Sequence, residues 1–208
     1  MPGPVLHTNA FVLGRRPPAE SFQTLTVFCQ THGAILVLQR VPKKPSPGRL
    51  VLDLFDEAAF TLETPRAGGP WFIREARLLS RPEGIGRDYE ALQRASRLAT
   101  LVARNPVPEE SRLGVGVLLR EALAAFASGA PAALVYFKSL WRFARDEGHP
   151  VREQWFPGLP AASRDEATRL LRTPLAGLAA DPRAVATAAD LATRLESYLR
   201  SHTELLLD

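Results

Sequence analysis

The runs Phe11-Val12-Leu13-Gly14-Arg15-Arg16, Leu25-Thr26-Val27-Phe28 and Ile35-Leu36-Val37-Leu38, followed by Val41-Pro42-Lys43-Lys44-Pro45-Ser46-Pro47-Gly48-Arg49, decide how this chain folds. Three β-patterned runs lead into a short, proline-broken loop that carries paired lysines. Thr31-His32-Gly33 reads as a hairpin turn, with Gly33 free to take a positive φ. Working outward, β-patterned runs are expected at residues 9–16, 22–30, 34–41, 49–56, 59–64 and 71–79. The near-continuous apolar character of residues 34–38 suits a curved strand buried on both sides. Five or six short strands in about 75 residues fit a small closed barrel, because an open sheet of that size would expose two apolar edges.

Beyond residue 80 the period changes to that of helices. Residues 86–105 put Tyr89, Leu92, Ser96, Ala99 and Val102 on one stripe, and Asn105-Pro106 ends the run, since a residue before proline disfavours the helical region. Further helices are expected at 109–128, closed by Ser128-Gly129, and at 132–147, closed by Gly148 and Pro150. Ser163-Arg164-Asp165-Glu166 is a capping-box pattern for a short helix to about Leu171. Asp181-Pro182 is an N-cap with proline at the first helical position, opening a long terminal helix. The fold class is therefore α+β, with a β-barrel domain over residues 1–80 and an all-α domain over residues 81–208.

Composition narrows the function. Apolar residues make up 46% and charged residues 23% of the 208, enough for a real core beneath an ordinary polar surface. The net charge is only +4. Its distribution is uneven: residues 1–80 hold 9 basic and 6 acidic side chains, residues 161–208 hold 6 and 7. Cys29 stands alone, so no intramolecular disulfide forms, and the four histidines have no metal-ligand spacing. No metal and no cofactor are expected. The amino terminus does not read as a secretory signal and no window reaches the length of a membrane span, so a cytoplasmic location and no membrane partner are expected.

Catalytic motifs are missing. The chain has no GxSxG, no HExxH and no glycine-rich phosphate loop, and Gly114-Val115-Gly116 lies within a helical pattern. Asp56-Glu57 and Glu109-Glu110 read as a turn and a helix start. No catalytic residue is assigned and no enzyme is expected. Cations are the stronger signal. Arg15 and Arg16 end the first run and Arg40 ends the third; strands running the same way carry these side chains to one rim. Lys43, Lys44 and Arg49 follow, with Arg74 and Arg77 on the last run. Such a rim can hold a phosphate backbone, while the plain alternative is a set of charged gatekeepers on β-edges. Most phenylalanines, Phe22 among them, are assigned to the core, and Trp71 is the better candidate for an exposed stacking ring. In the third helix Tyr136, Trp141, Lys138, Arg142 and Arg145 suit capture of an acidic, apolar-ended peptide, against the plainer reading of bundle core with a solvated basic face.

The segments Asn9-Ala10-Phe11-Val12-Leu13-Gly14-Arg15-Arg16, Glu20-Ser21, Leu25-Thr26-Val27-Phe28 and Thr31-His32-Gly33 resemble the start of the bacterial recombination mediator RecO. The basic segment around Lys43, Lys44, Ser46 and Arg49, the run Ile73-Arg74-Glu75-Ala76-Arg77-Leu78-Leu79 and the helical opening Tyr89-Glu90-Ala91-Leu92 extend the likeness. The resemblance implies an amino-terminal OB-fold and a helical carboxy-terminal domain. It further implies binding of single- and double-stranded DNA, strand annealing in DNA repair and recombination, and work alongside RecR and single-stranded DNA-binding protein. Many members carry a four-cysteine zinc module after the third helix; residues 149–162 hold that place here without a cysteine. The competing expectation is a protein-interaction adaptor that has kept the fold and lost DNA contact. A third is an OB-fold module for RNA or oligosaccharide.

Overall fold

The computed structural model describes residues 3–19, 21–41, 50–64 and 69–207. Five strands come first: β1 (Val5–Arg15), β2 (Phe22–Cys29), β3 (Gly33–Arg40), β4 (Glu57–Glu63) and β5 (Trp71–Ser80). Helical elements follow: α1 (Tyr89–Arg104), α2 (Arg112–Ala127), α3 (Ala132–Asp146), the single turn α4 (Phe156–Gly158), α5 (Ala161–Arg172) and α6 (Pro182–His202). The chain is thus a five-stranded sheet followed by a helical region. It divides into two compact units, Met1–Arg81 with Val102–Gly116, and Pro82–Leu101 with Val117–Asp208. Segment 102–116, placed by sequence in the helical part, therefore belongs with the sheet.

The strands hydrogen-bond in the order β1-β2-β3-β5-β4 and back to β1. The ring is uneven. Its β3–β5 seam is parallel and consists of two pairs, Val37 with Trp71 and Leu38 with Phe72, whereas β2 and β3 pair over their full length. β1 closes the ring by serving two neighbours. Residues 5–11 pair with β4 and residues 10–15 with β2. The β1–β2 register shifts between Val12 and Gly14, a bulge that bends β1 from one partner toward the other. From Leu38 the register leads one way through Thr24 to Arg16 and the other way through Phe72 and Glu63 to Val5. That stagger tilts the strands, as closure of a sheet into a ring requires.

Inward side chains Val12, Leu25, Val27, Val37, Leu52 and Leu62 are fully buried inside the ring. Each contributes about 1.5–3 kcal/mol by leaving water. The strand expected at residues 49–56 does not form over its described part. Asp56 is the cause. Its carboxylate, 0% exposed, accepts from the Asp53 N–H at 2.8 Å and from Arg81 Nε and Nη2 at 2.8 and 2.6 Å. Phe55 takes φ 72° and its N–H reaches Val12 O at 2.8 Å. The segment is a tight turn docked on β1, and Arg81 Nη2 also holds Val51 O at 2.9 Å.

Within the helical unit several ends follow the sequence. α2 and α3 close on Gly129 and Gly148, both at positive φ, with Ala130 N–H to Ala125 O at 3.2 Å and His149 N–H to Ala144 O at 2.9 Å. These are Schellman endings, which need a left-handed residue. Asp181 accepts from Arg183 and Ala184 N–H at 3.0 and 3.2 Å and caps α6, with Pro182 behind it. The cap hydrogen bonds, that from Ala184 foremost, hold the Asp181 carboxyl below the usual aspartate value. α5 differs from expectation. It starts at Ala161 behind Pro160, so Ser163 lies inside the first turn and caps nothing. The proline-fixed φ of Pro160 suits the helix entry better than the serine three residues on.

Replacing Asp56 with Ala leaves the Arg81 fork and the Asp53 N–H without their acceptor. A loss of about 3 kcal/mol is expected in denaturant unfolding, with Arg81→Met costing at least as much because it leaves the fully buried Asp56 carboxylate without its cation. A change below about 0.5 kcal/mol would show that the turn holds without the pair.

Candidate nucleic-acid interface

Register places three of the predicted cations together. Arg15 pairs with Leu25, and the Arg16 N–H donates to Thr24 O at 2.9 Å, so both stand where β2 begins. Arg40 lies directly opposite Phe22, the first residue of β2. The end of β1, the start of β2 and the end of β3 thus share one end of the ring, with all three arginines exposed. Lys43, Lys44 and Arg49 lie outside the described residues. Arg15 is not bare: its Nη1 stands 3.1 Å from the Asp53 carboxylate, itself exposed.

Arg74 and Arg77 lie on β5. Arg74 Nη1 is 3.9 Å from Glu63. Arg77 sits opposite Ala59, which in turn faces Asn9, so it lies on the outer face of β1, β4 and β5. There it lines an open depression with His7, Thr61 and Glu75, in which His7 Nδ1 and Thr61 Oγ1 are 3.2 Å apart. Among the described cations, Arg77 stands apart from Arg15, Arg16 and Arg40.

Two aromatic assignments change. Trp71 packs against the buried cluster inside the ring, with its edge on His32 at a centroid distance of 5.8 Å. Phe22, expected in the core, is 37% exposed and meets Phe72 edge to face at 5.7 Å. Strand alternation explains both. Gln23, Leu25 and Gln39 point inward, so Phe22, Leu38 and Arg40 point out, and the parallel seam sets Phe72 beside Leu38. No local pattern in the sequence marks Phe22 as outward, because the residues around it do not alternate cleanly.

The α3 residues proposed for partner capture separate into different roles. Tyr136 is 1% exposed, and its hydroxyl donates to Glu196 Oε1 at 2.7 Å. Arg97 Nη1 approaches the same carboxylate at 3.3 Å, and the Arg94 guanidinium lies 5.3 Å from the Tyr136 ring centre. This cluster ties α1, α3 and α6 together and leaves Tyr136 no surface for a partner. Lys138 Nζ donates to Leu170 O, Leu171 O and Thr173 O at 2.6, 3.3 and 2.8 Å, closing the carboxy-terminal end of α5. Burial lowers its pKa from the ordinary lysine value. Trp141 is buried against Trp155 and Phe156. Arg142 pairs with Glu121 at 2.6 Å and Arg145 with Asp146 at 2.6 Å. Lys138, Trp141, Arg142 and Arg145 nonetheless edge a groove of about 260 Å³ between α2 and α3, floored by Leu118, Ala122, Ala125 and Val135.

Among the described residues no group of three or more histidine, cysteine or acidic side chains is arranged to hold a metal ion. No helix among them is long and apolar enough to cross a membrane. No protein-family model matches the chain, and no curated protein matches it.

Burial, followed by the neighbouring Glu196 carboxylate, pushes the Tyr136 phenol well above its ordinary value of 10.0. A raised folded-state pKa stabilises the protein fully below the unfolded value and is lost as pH climbs past it. In an alkaline absorbance titration Tyr136→Phe should leave the folded-state phenolate signal unchanged. A drop in that signal would mean that the Tyr136 hydroxyl ionises in the native protein.

Proposed function

We propose that this chain is a nucleic-acid-binding protein of the RecO type, acting by binding and annealing DNA strands in recombinational repair, without catalysis. The observation that carries the reading is the meeting of Arg15, Arg16 and Arg40 at one end of the ring. The strand order with its parallel β3–β5 seam supports an OB-fold, an architecture whose β2–β3 face and loops bind oligonucleotides. Lys43, Lys44 and Arg49 follow Arg40 in the chain and complete the proposed phosphate grip. Single- and double-stranded DNA are the proposed ligands, in a cytoplasmic, nucleoid-associated setting. Phosphate contacts position a strand and release counterions, so affinity should be salt-sensitive.

A second reading concerns protein partners. The groove beside α3 has an apolar floor and a rim bearing Arg142 and Arg145. An acidic, apolar-ended peptide such as the tail of single-stranded DNA-binding protein fits that chemistry, and a RecR-like protein is the other partner the resemblance suggests. Capture of those partners with no DNA shift at low salt would favour an adaptor over a DNA-binding protein.

With about five phosphate contacts, log K on single strands should fall against log salt with a slope near −3.5. Arg16→Glu with Arg40→Glu should flatten that slope and weaken binding by at least about tenfold. Asp53→Ala, which releases Arg15 from its carboxylate, should tighten binding about two- to fivefold. Binding that ignores salt and both changes would remove the mechanism.

A further inference from the structure

The outer face of β1, β4 and β5 carries the depression that Arg77 lines, an open hollow of about 800 Å³. Strand register sets its side chains in two rows that run across the three strands. Glu75, Thr61 and His7 form one row, and Arg77, Ala59 and Asn9 form the other, one pleat further along. Glu75, Arg77, His7 and Asn9 are exposed, and Ala59 in the middle of the second row leaves the floor low. The contact between His7 Nδ1 and Thr61 Oγ1 steadies the first row. Glu75 and Arg77 carry opposite charges on one face of β5, about 6.6 Å apart along the strand. Neither has an ion pair or a side-chain hydrogen bond among the described residues, whereas Arg74 beside them is turned to Glu63.

We propose that this hollow docks a second copy of the chain about a twofold axis, with Glu75 of each copy meeting the partner's Arg77. The warrant is self-complementarity. In an isologous contact every pairing occurs twice, once from each side. A twofold axis that lies between the two faces, across the strands and midway between the rows, turns each row onto the other. Glu75 then faces the partner's Arg77, His7 faces the partner's Asn9, and Thr61 faces the low floor over the partner's Ala59. The pairings are a carboxylate with a guanidinium, a ring nitrogen with an amide, and a branched side chain with the space that a methyl group leaves. No like charges meet. An axis along the strands would instead set Glu75 against the partner's His7 and Arg77 against the partner's Asn9, which leaves the two charges apart. The face holds one acid and one base in its two rows, so it offers a polyanion no net charge, and a chain that bears it also bears its complement. Sheets packed face to face cross at about 30°, which keeps the central rows together and splays the outer ones. Two copies joined here bring two cation-bearing ring ends into one particle, as a protein that pairs two strands requires; that consequence rests on the nucleic-acid reading, and the docking does not.

The test is sedimentation equilibrium of the full chain at low and high salt. A contact this small lies at the transient end of protein interfaces, so the wild type should dimerise with a Kd on the order of 10 μM. Association should weaken as salt screens the ion pairs. Glu75→Arg leaves both charges of the face basic and Arg77→Glu leaves both acidic, so each variant alone should lose at least about tenfold in self-association. Mixed one to one, the two variants should associate at least as tightly as the wild type, since each basic face then meets an acidic one. The double reversal, Glu75→Arg with Arg77→Glu, should restore self-association. Circular dichroism melts of the single variants exclude misfolding as the cause of a loss, and recovery in the mixture excludes it independently. A wild type that stays monomeric at about 200 μM and low salt would overturn the proposal. So would dimerisation that ignores both single reversals, or a loss that neither the mixture nor the double reversal restores.

Discussion

Strand β1 has to satisfy two neighbours at once, and the sheet depends on how it does so. Its first half pairs with β4 and its second half with β2, with a bulge after Val12 to take up the bend. Eleven residues of one strand therefore span the ring from the end of β4 to the start of β2. Backbone donors and acceptors at a buried strand edge must be paired, so neither half can slip without unpairing the other. This double duty carries Arg15 and Arg16 to the place where β2 begins and β3 ends. The docked turn at Asp53–Asp56 reinforces it, since Phe55 and Asp56 bond directly to the Val12 backbone and Arg81 locks the turn to the end of β5.

Charge in this protein divides into two kinds of work. Much of it is internal. Arg81 neutralises Asp56, Lys138 ends α5, and Arg97 meets the Glu196 carboxylate that also binds Tyr136. A count of Lys and Arg along the chain overstates the surface available to a polyanion, because cations engaged this way answer to the fold. Sheet geometry also directs charge. Alternation sends Arg40 outward beside Phe22 and Phe72, and the result is an apolar strip with a cationic border, which a uniform basic patch would not resemble.

Much of the architecture was legible from residue pattern. Gly129 and Gly148 close their helices through backbone conformations that only a residue without a Cβ adopts at low cost, and Asp181-Pro182 opens α6 through a side-chain cap and a pre-set φ. These signals are local, and the physics behind them acts within a few residues. The failures were non-local. Residues 50–56 have β-like composition, yet Asp56 finds Arg81, twenty-five residues on, and the pair imposes a turn. Ser163 looks like a cap, but the proline at 160 starts the helix first. Phe22 reads as core because phenylalanine is usually buried, and only pairing with Arg40 and proximity to Phe72 turn it outward.

The sequence by itself determined the class of the protein: β-patterned residues first, helical periodicity after residue 80, most of the helix ends, and a candidate set of cations. Those properties arise from backbone preference and apolar spacing, which are encoded within a turn or a strand. Only the tertiary structure decided which cations stand together, which are consumed by buried carboxylates and helix ends, and which aromatic rings face water. Such outcomes depend on strand register and ring closure, where residues distant in sequence are brought opposite one another by hydrogen bonds that no local pattern announces.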